Sequence, residues 1–150
     1  MTKITLGIIG GGQLGSMLAT AAKKLKIRTI IFSDDVNSPG QMFSDGFISG
    51  DYNDLSKIKE FTNKVDLITF EFENIPYETL KKLNDLKKVI PKPEINKIIH
   101  NRLTEKDFIN SLGINTTEYK FIEKLEDIKK NSNLIPGILK TCTLGYDGKG

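Results

Sequence analysis

Apolar and polar positions in the first half of the chain alternate between two kinds of segment. Residues 4–9 form a continuous apolar, β-branched run, which is typical of a buried parallel strand. From residue 14 to residue 25 the apolar positions recur at helical spacing. Later strands are predicted at residues 28–32, 46–49, 65–70 and 89–90, and helices at 55–61, where Asp54 can cap the first turn, and at 77–86. This order predicts an α/β fold, a Rossmann-like open parallel sheet with helices on both faces.

The second half of the chain has a different pattern. Two prolines near residue 92 interrupt it, and helices are predicted at residues 94–101, 103–112 and 125–130, the second closed by Gly113. Short strands are predicted at 119–121 and 135–139. We therefore expect one domain over residues 1–100 and a second over residues 101–150. The last nine residues form a glycine-rich loop with no element after it, so we expect the second domain to be incomplete and the chain to be a piece of a larger protein.

Composition restricts the partners of the chain. Its 150 residues carry a net charge of +3 without a basic block, which argues against nucleic acid. One cysteine (Cys142) and one histidine (His100) exclude an intrachain disulfide and make a protein-only zinc site unexpected. The apolar stretch at the N-terminus is too short to span a bilayer. We expect a cytoplasmic protein with no membrane partner.

A glycine-rich motif follows the first predicted strand and opens the first helix. Gly10-x-Gly12-x-x-Gly15 in this context is the fingerprint of a loop that holds phosphate against backbone N–H groups. If the ligand is a dinucleotide, Asp34 and Asp35 at the end of the second strand would bind its ribose, and the protein would be an NAD-dependent oxidoreductase. A sugar phosphate is the second possibility, which Gln13 slightly favours because its amide can bond a ligand directly. A tight turn without a ligand is the third.

Two carboxylates follow the fourth predicted strand. Glu71 and Glu73 are spaced i, i+2, so on extended backbone they point to the same side. Acids beside Phe70 and Phe72 are costly to bury unless they meet a donor, which a ligand amine or hydroxyl could supply. The alternative is that one glutamate caps the following helix and the other is solvated.

Four motifs together resemble a known family. The chain carries Ile8-Ile9-Gly10-Gly11-Gly12-Gln13-Leu14-Gly15, Phe70-Glu71-Phe72-Glu73-Asn74, Asn101-Arg102-Leu103-Thr104-Glu105-Lys106, and Ile138-Leu139-Lys140-Thr141 leading into Gly145-Tyr146-Asp147-Gly148-Lys149-Gly150. In this order and separation they resemble the N5-carboxyaminoimidazole ribonucleotide synthetases of the ATP-grasp superfamily. The resemblance implies a pre-ATP-grasp Rossmann-like domain over residues 1–100 and the beginning of an ATP-grasp domain over residues 101–150.

The resemblance also implies an activity for the full-length protein, an ATP-dependent carbon–nitrogen ligase of purine biosynthesis. ATP phosphorylates bicarbonate to carboxyphosphate, with Mg²⁺ on the phosphates, and the amine of 5-aminoimidazole ribonucleotide then takes up the carboxyl group. The metal ligands are expected beyond residue 150, and relatives imply a homodimer when full length. The chain alone is expected to lack turnover but to retain weak ribonucleotide binding. Formate-dependent glycinamide ribonucleotide transformylase, the NAD-dependent oxidoreductase and a non-catalytic binding module remain alternatives.

By resemblance, individual residues take roles. The ribonucleotide, its phosphate at or near the helix N-terminus, would contact Gly12, Gln13, Leu14, Gly15, Glu71, Glu73 and Tyr146. ATP would contact Arg102, Lys140, Gly145, Tyr146, Asp147, Gly148, Lys149 and Gly150. Asp147 and Lys149 are the expected catalytic residues, near bicarbonate. Two positions depart from the family pattern. Leu144 stands where many relatives have glycine. Lys149 stands where some relatives have arginine, and a lysine there would lose the bidentate contact that arginine can make.

Overall fold

A computed structural model of the chain describes residues 4–145. The described residues divide into two compact units, one ending at Lys97 and the other beginning at Ile98. Each unit has its own internal contacts and is described separately below.

The first unit is built on a parallel sheet of four strands. In chain order its elements are β1 (Thr5–Ile9), α1 (Gln13–Lys24), β2 (Arg28–Ser33), β3 (Gly46–Ser49), α2 (Leu55–Thr62), β4 (Leu67–Phe70) and α3 (Tyr77–Leu86). A short 3₁₀ turn, Pro39–Met42, lies between β2 and β3. The strands are ordered β3-β2-β1-β4, and every pairing is parallel. The predicted α/β fold is therefore confirmed.

The predicted fifth strand is present only as a single bridge. The N–H of Ile68 donates to the carbonyl of Lys88 at 3.0 Å, and the N–H of Ile90 donates to the carbonyl of Ile68 at 2.8 Å. The next residue is Pro91, which has no N–H to extend a ladder. The chain leaves the sheet there and enters α4 (Pro93–Ile99).

Both faces of the sheet are covered, as a parallel sheet requires. Ile8 and Ile31 point to one face and pack with Ala19 of α1. Their neighbours along the strands point to the other face, where Phe32 packs against Phe61 of α2 with ring centroids 5.5 Å apart. The continuous apolar runs of β1 and β2 thus reflect burial on two sides rather than one.

The second unit contains α5 (Arg102–Ser111), α6 (Leu125–Lys130) and a 3₁₀ turn, Ser132–Leu134. The strands predicted at residues 119–121 and 135–139 are wrong, because no strand occurs between residues 98 and 145. An extended segment becomes a strand only when a neighbour supplies ladder hydrogen bonds. Here side chains hold the first segment instead: Tyr119 donates to Asp107 of α5, and the ammonium of Lys106 donates to the carbonyl of Thr117 at 3.1 Å.

Helix ends follow the predicted capping residues. The carboxylate of Asp54 accepts the N–H of Ser56 at 2.8 Å and that of Lys57 at 3.3 Å, which confirms the predicted cap of α2. Gly113 closes α5 with a φ of +75°, also as predicted. The end of α1 has the same left-handed geometry, but the residue there is Lys26, with a φ of +59°. Its N–H donates to Lys23 and that of Ile27 to Ala22, so the turn is fully bonded despite the unfavourable residue.

Replacing Lys26 with glycine is expected to stabilise the first unit by up to about 1 kcal/mol, because glycine adopts the left-handed conformation without the clash of a Cβ atom. Lys24→Gly is the matched control: it removes an exposed lysine two residues earlier, inside α1, and should destabilise by about 0.5–1 kcal/mol. Urea unfolding of both variants checks this. Equal destabilisation by the two substitutions would contradict the strain at Lys26.

Candidate functional site

The strand order defines where a ligand can enter the first unit. The chain runs from β1 to β2 and β3 on one side, and then returns to place β4 on the other side of β1. In open α/β sheets this reversal opens a crevice at the carboxyl ends of the two strands on either side of it, here β1 and β4. The glycine loop follows β1 and the acidic segment follows β4, so both predicted ligand motifs border this crevice.

The glycine loop turns tightly from β1 into α1. Gly10 has a φ of +99°, and its N–H donates to the carbonyl of Phe32 at 3.0 Å. A Cβ atom on Gly15 would lie 2.3 Å from the carbonyl oxygen of Gly10, closer than any side chain could tolerate. Gly12 is the N-cap of α1, so no side chain competes for the first N–H groups of the helix. The loop is therefore a backbone cradle that requires glycine.

The carboxylate of Glu71 already lies in this cradle. Its Oε1 atom would lie 2.8 Å from a Cβ on Gly10, 3.4 Å from one on Gly15 and 3.7 Å from one on Gly12. Burial raises the pKa of this carboxyl, and the nearby backbone N–H of Gly15 offsets part of the rise. The protein thus places its own anion where the fingerprint predicts a bound one.

The other predicted substrate residues lie around the same turn. Gln13 and Leu14 are exposed in the first turn of α1, and Glu73 is exposed after β4. The expectation that Glu71 and Glu73 share one side assumed extended backbone, but β4 ends at Phe70 and residues 72–75 form a turn. The common orientation therefore no longer follows. The N-cap residue of α3 is Pro76, which makes no side-chain cap.

The opposite side of the glycine loop is closed. The N–H of Gly40 donates to the carbonyl of Gly11 at 2.8 Å, and a Cβ on Gly11 would lie 2.4 Å from the hydroxyl oxygen of Ser38. In a dinucleotide enzyme the adenosine ribose lies between this loop and the acidic end of the second strand. That space is filled by residues 38–40, which argues against the NAD-dependent oxidoreductase. The sequence carried no signal that these residues pack against the glycine loop.

Asp34, the acid expected to bind a dinucleotide ribose, instead faces a protein side chain. Tyr52 is buried near Asp34 and Ser33, and its burial and the nearby carboxylate of Asp34 raise the pKa of the phenol. Asp35 accepts the N–H of Asn37 at 2.8 Å. Both acids at the end of β2 therefore serve the local fold.

The second unit contains a cavity of about 810 Å³ that brings Arg102 and Lys140 together. The cavity lining includes four basic side chains and one acidic one: Arg102, Lys106, Lys120, Lys140 and Glu118. Such an excess of positive charge suits a polyphosphate.

Arg102 is held at this cavity through both backbone and side chain. Its N–H donates to the carbonyl of Cys142 at 2.9 Å, and its guanidinium donates to the carbonyl of Gly145. The preceding residue, Asn101, caps α5 by accepting the N–H of Leu103 at 2.9 Å. The start of the helix and the segment that leads into the second glycine-rich loop are thus joined at Arg102.

The remaining predicted residues of that loop, Tyr146, Asp147, Gly148, Lys149 and Gly150, lie outside the described residues. Leu144 has a φ of +59°, a conformation that costs a side-chain-bearing residue about 1 kcal/mol or more. Within residues 4–145 no group of three or more His, Cys, Asp or Glu side chains could hold a metal ion. No helix in the same range is long and apolar enough to cross a bilayer.

Comparison with known proteins gives the family of the chain. Residues 1–100 match the ribonucleotide synthetase preATP-grasp domain. The N5-carboxyaminoimidazole ribonucleotide synthase of Brucella melitensis is 39% identical over 148 residues, which is 97% of this chain and 41% of that protein. A bifunctional purine synthesis protein of Dictyostelium discoideum is also 39% identical, over 97% of the chain and 15% of its own length.

Solved structures of the same family also resemble this chain. The ADP complex of the Staphylococcus aureus N5-carboxyaminoimidazole synthetase has a TM-score of 0.87 at 34% identity, covering 98% of this chain and 40% of that one. The chain therefore spans about two fifths of the length of these single-function synthases. Because the family match covers two thirds of its residues and the likeness to the synthases extends over nearly all of them, the chain belongs to the ribonucleotide synthetase preATP-grasp family and is similar to the N-terminal part of N5-carboxyaminoimidazole ribonucleotide synthases.

Proposed function

We propose that the chain is the N-terminal part of an ATP-dependent ligase that carboxylates 5-aminoimidazole ribonucleotide with bicarbonate, through carboxyphosphate. Residues 1–100 are its pre-ATP-grasp domain and residues 101–150 begin its ATP-grasp domain. The full protein acts in purine biosynthesis, in the cytoplasm and as a homodimer.

The observation that carries this proposal is the crevice between β1 and β4, where the glycine loop holds the carboxylate of Glu71. A synthase from Aspergillus clavatus, solved in complex with ADP and 5-aminoimidazole ribonucleotide, has the same fold over 95% of this chain, with a TM-score of 0.81 at 27% identity. That likeness supports a ribonucleotide as the ligand of the crevice.

The charge at Glu71 decides how the ribonucleotide is oriented. A phosphate placed on the Gly15 N–H would meet the Glu71 carboxylate, and two like charges in contact repel. The hydroxyl and amine groups of the ligand are donors, so we assign one of them to Glu71. The phosphate then lies at the exposed start of α1, over Gly12, Gln13 and Leu14, where backbone N–H groups favour an anion. Glu73 and Tyr146 complete the substrate contacts.

ATP occupies the cavity of the second unit. Lys140 meets its phosphates as a point charge, and Arg102 meets them while holding Gly145. Tyr146, Gly148 and Gly150 contact the nucleotide, and Asp147 and Lys149 act on bicarbonate and the forming carboxyphosphate. Mg²⁺ on the phosphates neutralises charge when bound. By the family resemblance, its ligands are assigned beyond residue 150, and no step is assigned to it.

The proposed reaction is tested in a protein that continues beyond residue 150 to the length of its relatives. ATP hydrolysis in the presence of 5-aminoimidazole ribonucleotide should be stimulated by bicarbonate and not by formate. Stimulation by formate with glycinamide ribonucleotide would instead favour the transformylase. Tight NADH binding would favour the oxidoreductase, and ATPase activity under none of these conditions would favour a binding module.

The two sites should separate in kinetics. Lys140→Met removes one charged phosphate contact and should raise the KM for ATP about 10- to 100-fold, with little change in the KM for the ribonucleotide. Glu71→Ala should do the reverse, raising the KM for the ribonucleotide about tenfold. Steady-state kinetics on the same extended protein measure both. If Glu71→Ala changes only the KM for ATP, the assignment of the two sites is wrong.

Glu71 should also leave a signature in the pH dependence of stability. A carboxyl whose pKa is raised on folding contributes stability that is complete below its unfolded pKa, near 4.3, and is lost as the pH rises through its folded pKa. Glu71→Gln removes this loss but keeps the size of the side chain and an oxygen near the Gly15 N–H. The free energy of unfolding of the variant, relative to the parent, should therefore increase as the pH rises from about 4 to 7.

Glu60→Gln is the control for this measurement. The ammonium groups of Lys64 and Lys57 lower the pKa of Glu60, so its contribution to stability is present above the unfolded pKa and is lost as the pH falls. Urea unfolding across the same pH range should give the two variants slopes of opposite sign. A falling slope for Glu71→Gln would show that the carboxylate is not held in a buried position.

A further inference from the structure

Asn96 is a buried polar residue that no sequence motif marks. It lies in α4 between two ordinary surface positions, yet only 1% of it is exposed. Its Nδ2 atom donates to the carbonyl of Ile75 at 2.9 Å, across 21 residues of sequence. Ile75 belongs to the loop between β4 and α3, the loop that begins with Glu71.

Other contacts also hold this loop. Ile75 is buried in the main core of the first unit, and Phe72 packs against that core. The N–H of Glu71 donates to the carbonyl of Ile9 at 3.2 Å, which fixes the start of the loop to β1. Within the loop, the N–H of Ile75 reaches the carbonyl of Phe72 at 3.4 Å, a long distance for a hydrogen bond. Both polar atoms of the Asn74 side chain are buried without a hydrogen-bond partner among the described residues. The Asn96 bond is shorter than either of these backbone bonds and restrains the far end of the loop.

The burial of Asn96 is unfavourable for packing alone. Its Oδ1 atom is buried without a partner among residues 4–145, and an unpaired buried polar atom costs about 1–3 kcal/mol. An apolar side chain of the same size would avoid that cost but would leave the carbonyl of Ile75 unpaired instead. The favourable contribution of Asn96 is thus its bond to the loop, rather than its fit in the core.

The helix that carries Asn96 is tied to the same region a second time. The ammonium of Lys97 lies 5.3 Å from the ring centroid of Tyr77, the first residue of α3 and the second residue after Ile75. Consecutive residues of α4 therefore hold the end of the loop and the start of the next helix.

We propose that Asn96 is a positioning residue of the ribonucleotide site, which by holding the carbonyl of Ile75 keeps the loop in the conformation that places Glu71 over the glycine loop. This inference rests on the proposed function for the identity of the ligand, but not for the link between Asn96 and Glu71. Asn96 touches no substrate; it acts through the loop.

The test uses Asn96→Leu, which keeps the volume and removes the donor, and Asn96→Ala as a second, smaller variant. The first readout is the pKa of Glu71, followed by carbon NMR of its carboxyl group. In either folded variant the pKa of Glu71 should fall toward its ordinary value, because the carboxyl leaves its buried position. The amide proton of Gly15 should stop reporting the titration of Glu71.

The matched control is Thr62→Val. Thr62 is also buried in the first unit and also donates one side-chain hydrogen bond, to the carbonyl of Lys59 at 3.2 Å, but it lies in α2. Thr62→Val should lose about as much stability as the Asn96 variants and leave the titration of Glu71 unchanged. An unchanged Glu71 pKa in a folded Asn96 variant overturns the proposal. So does unfolding of both Asn96 variants where Thr62→Val stays folded, because the role of Asn96 is then purely structural.

The second readout is binding of 5-aminoimidazole ribonucleotide to the extended protein by calorimetry. Asn96→Leu should weaken it about tenfold, within the range of coupling between residues that share a network, with ATP affinity unchanged. If the parent protein binds no ribonucleotide, the proposed function fails while the pKa readout still tests the positioning role. If the parent binds and the variant binds equally well, the positioning role fails alone.

Discussion

The approach of the Glu71 carboxylate to the glycine loop is the constraint on which the first unit's ligand site depends. It brings together the ends of the neighbouring strands β1 and β4 through one half-buried carboxylate, beside a helix N-terminus that no side chain of its own helix caps. Three glycines surround the carboxylate because a Cβ atom at two of them would collide with it or with the backbone behind it. The loop composition, the acid after β4 and the strand order are thus parts of a single arrangement.

The arrangement changes the meaning of the glycine fingerprint. Such a loop usually indicates a backbone that awaits a phosphate. Here the negative end is built into the protein, so the cradle selects for groups that can donate a hydrogen bond to a carboxylate. The proposed ribonucleotide offers both kinds of group, hydroxyls or an amine at one end and phosphate at the other. It would therefore have a direction along the crevice that a bare anion would not have.

The sequence predicted most of the first unit because its elements are specified locally. The buried runs of β1 and β2, the Asp54 cap and the limits of α3 all follow from side chains within each segment. Strands 119–121 and 135–139 failed because a strand also needs a partner, and apolar pattern alone does not supply one. The sequence likewise predicted only part of the site. The motifs located Glu71 and the glycines, but not the contact between them, and nothing near residue 96 signalled its bond to a loop 21 residues away.

The hydrogen bond between Gly40 and Gly11 limits how ligand access to this edge of the sheet could change. The contact is made by main-chain atoms, the N–H of one glycine and the carbonyl of the other, so it does not depend on which side chains surround it. Point substitutions would therefore leave that half of the sheet edge shut, and only a shortened or rerouted backbone after β2 would reopen it. Closure of this edge of the sheet is therefore set by the path of the main chain, and it should persist while nearby surface residues diverge.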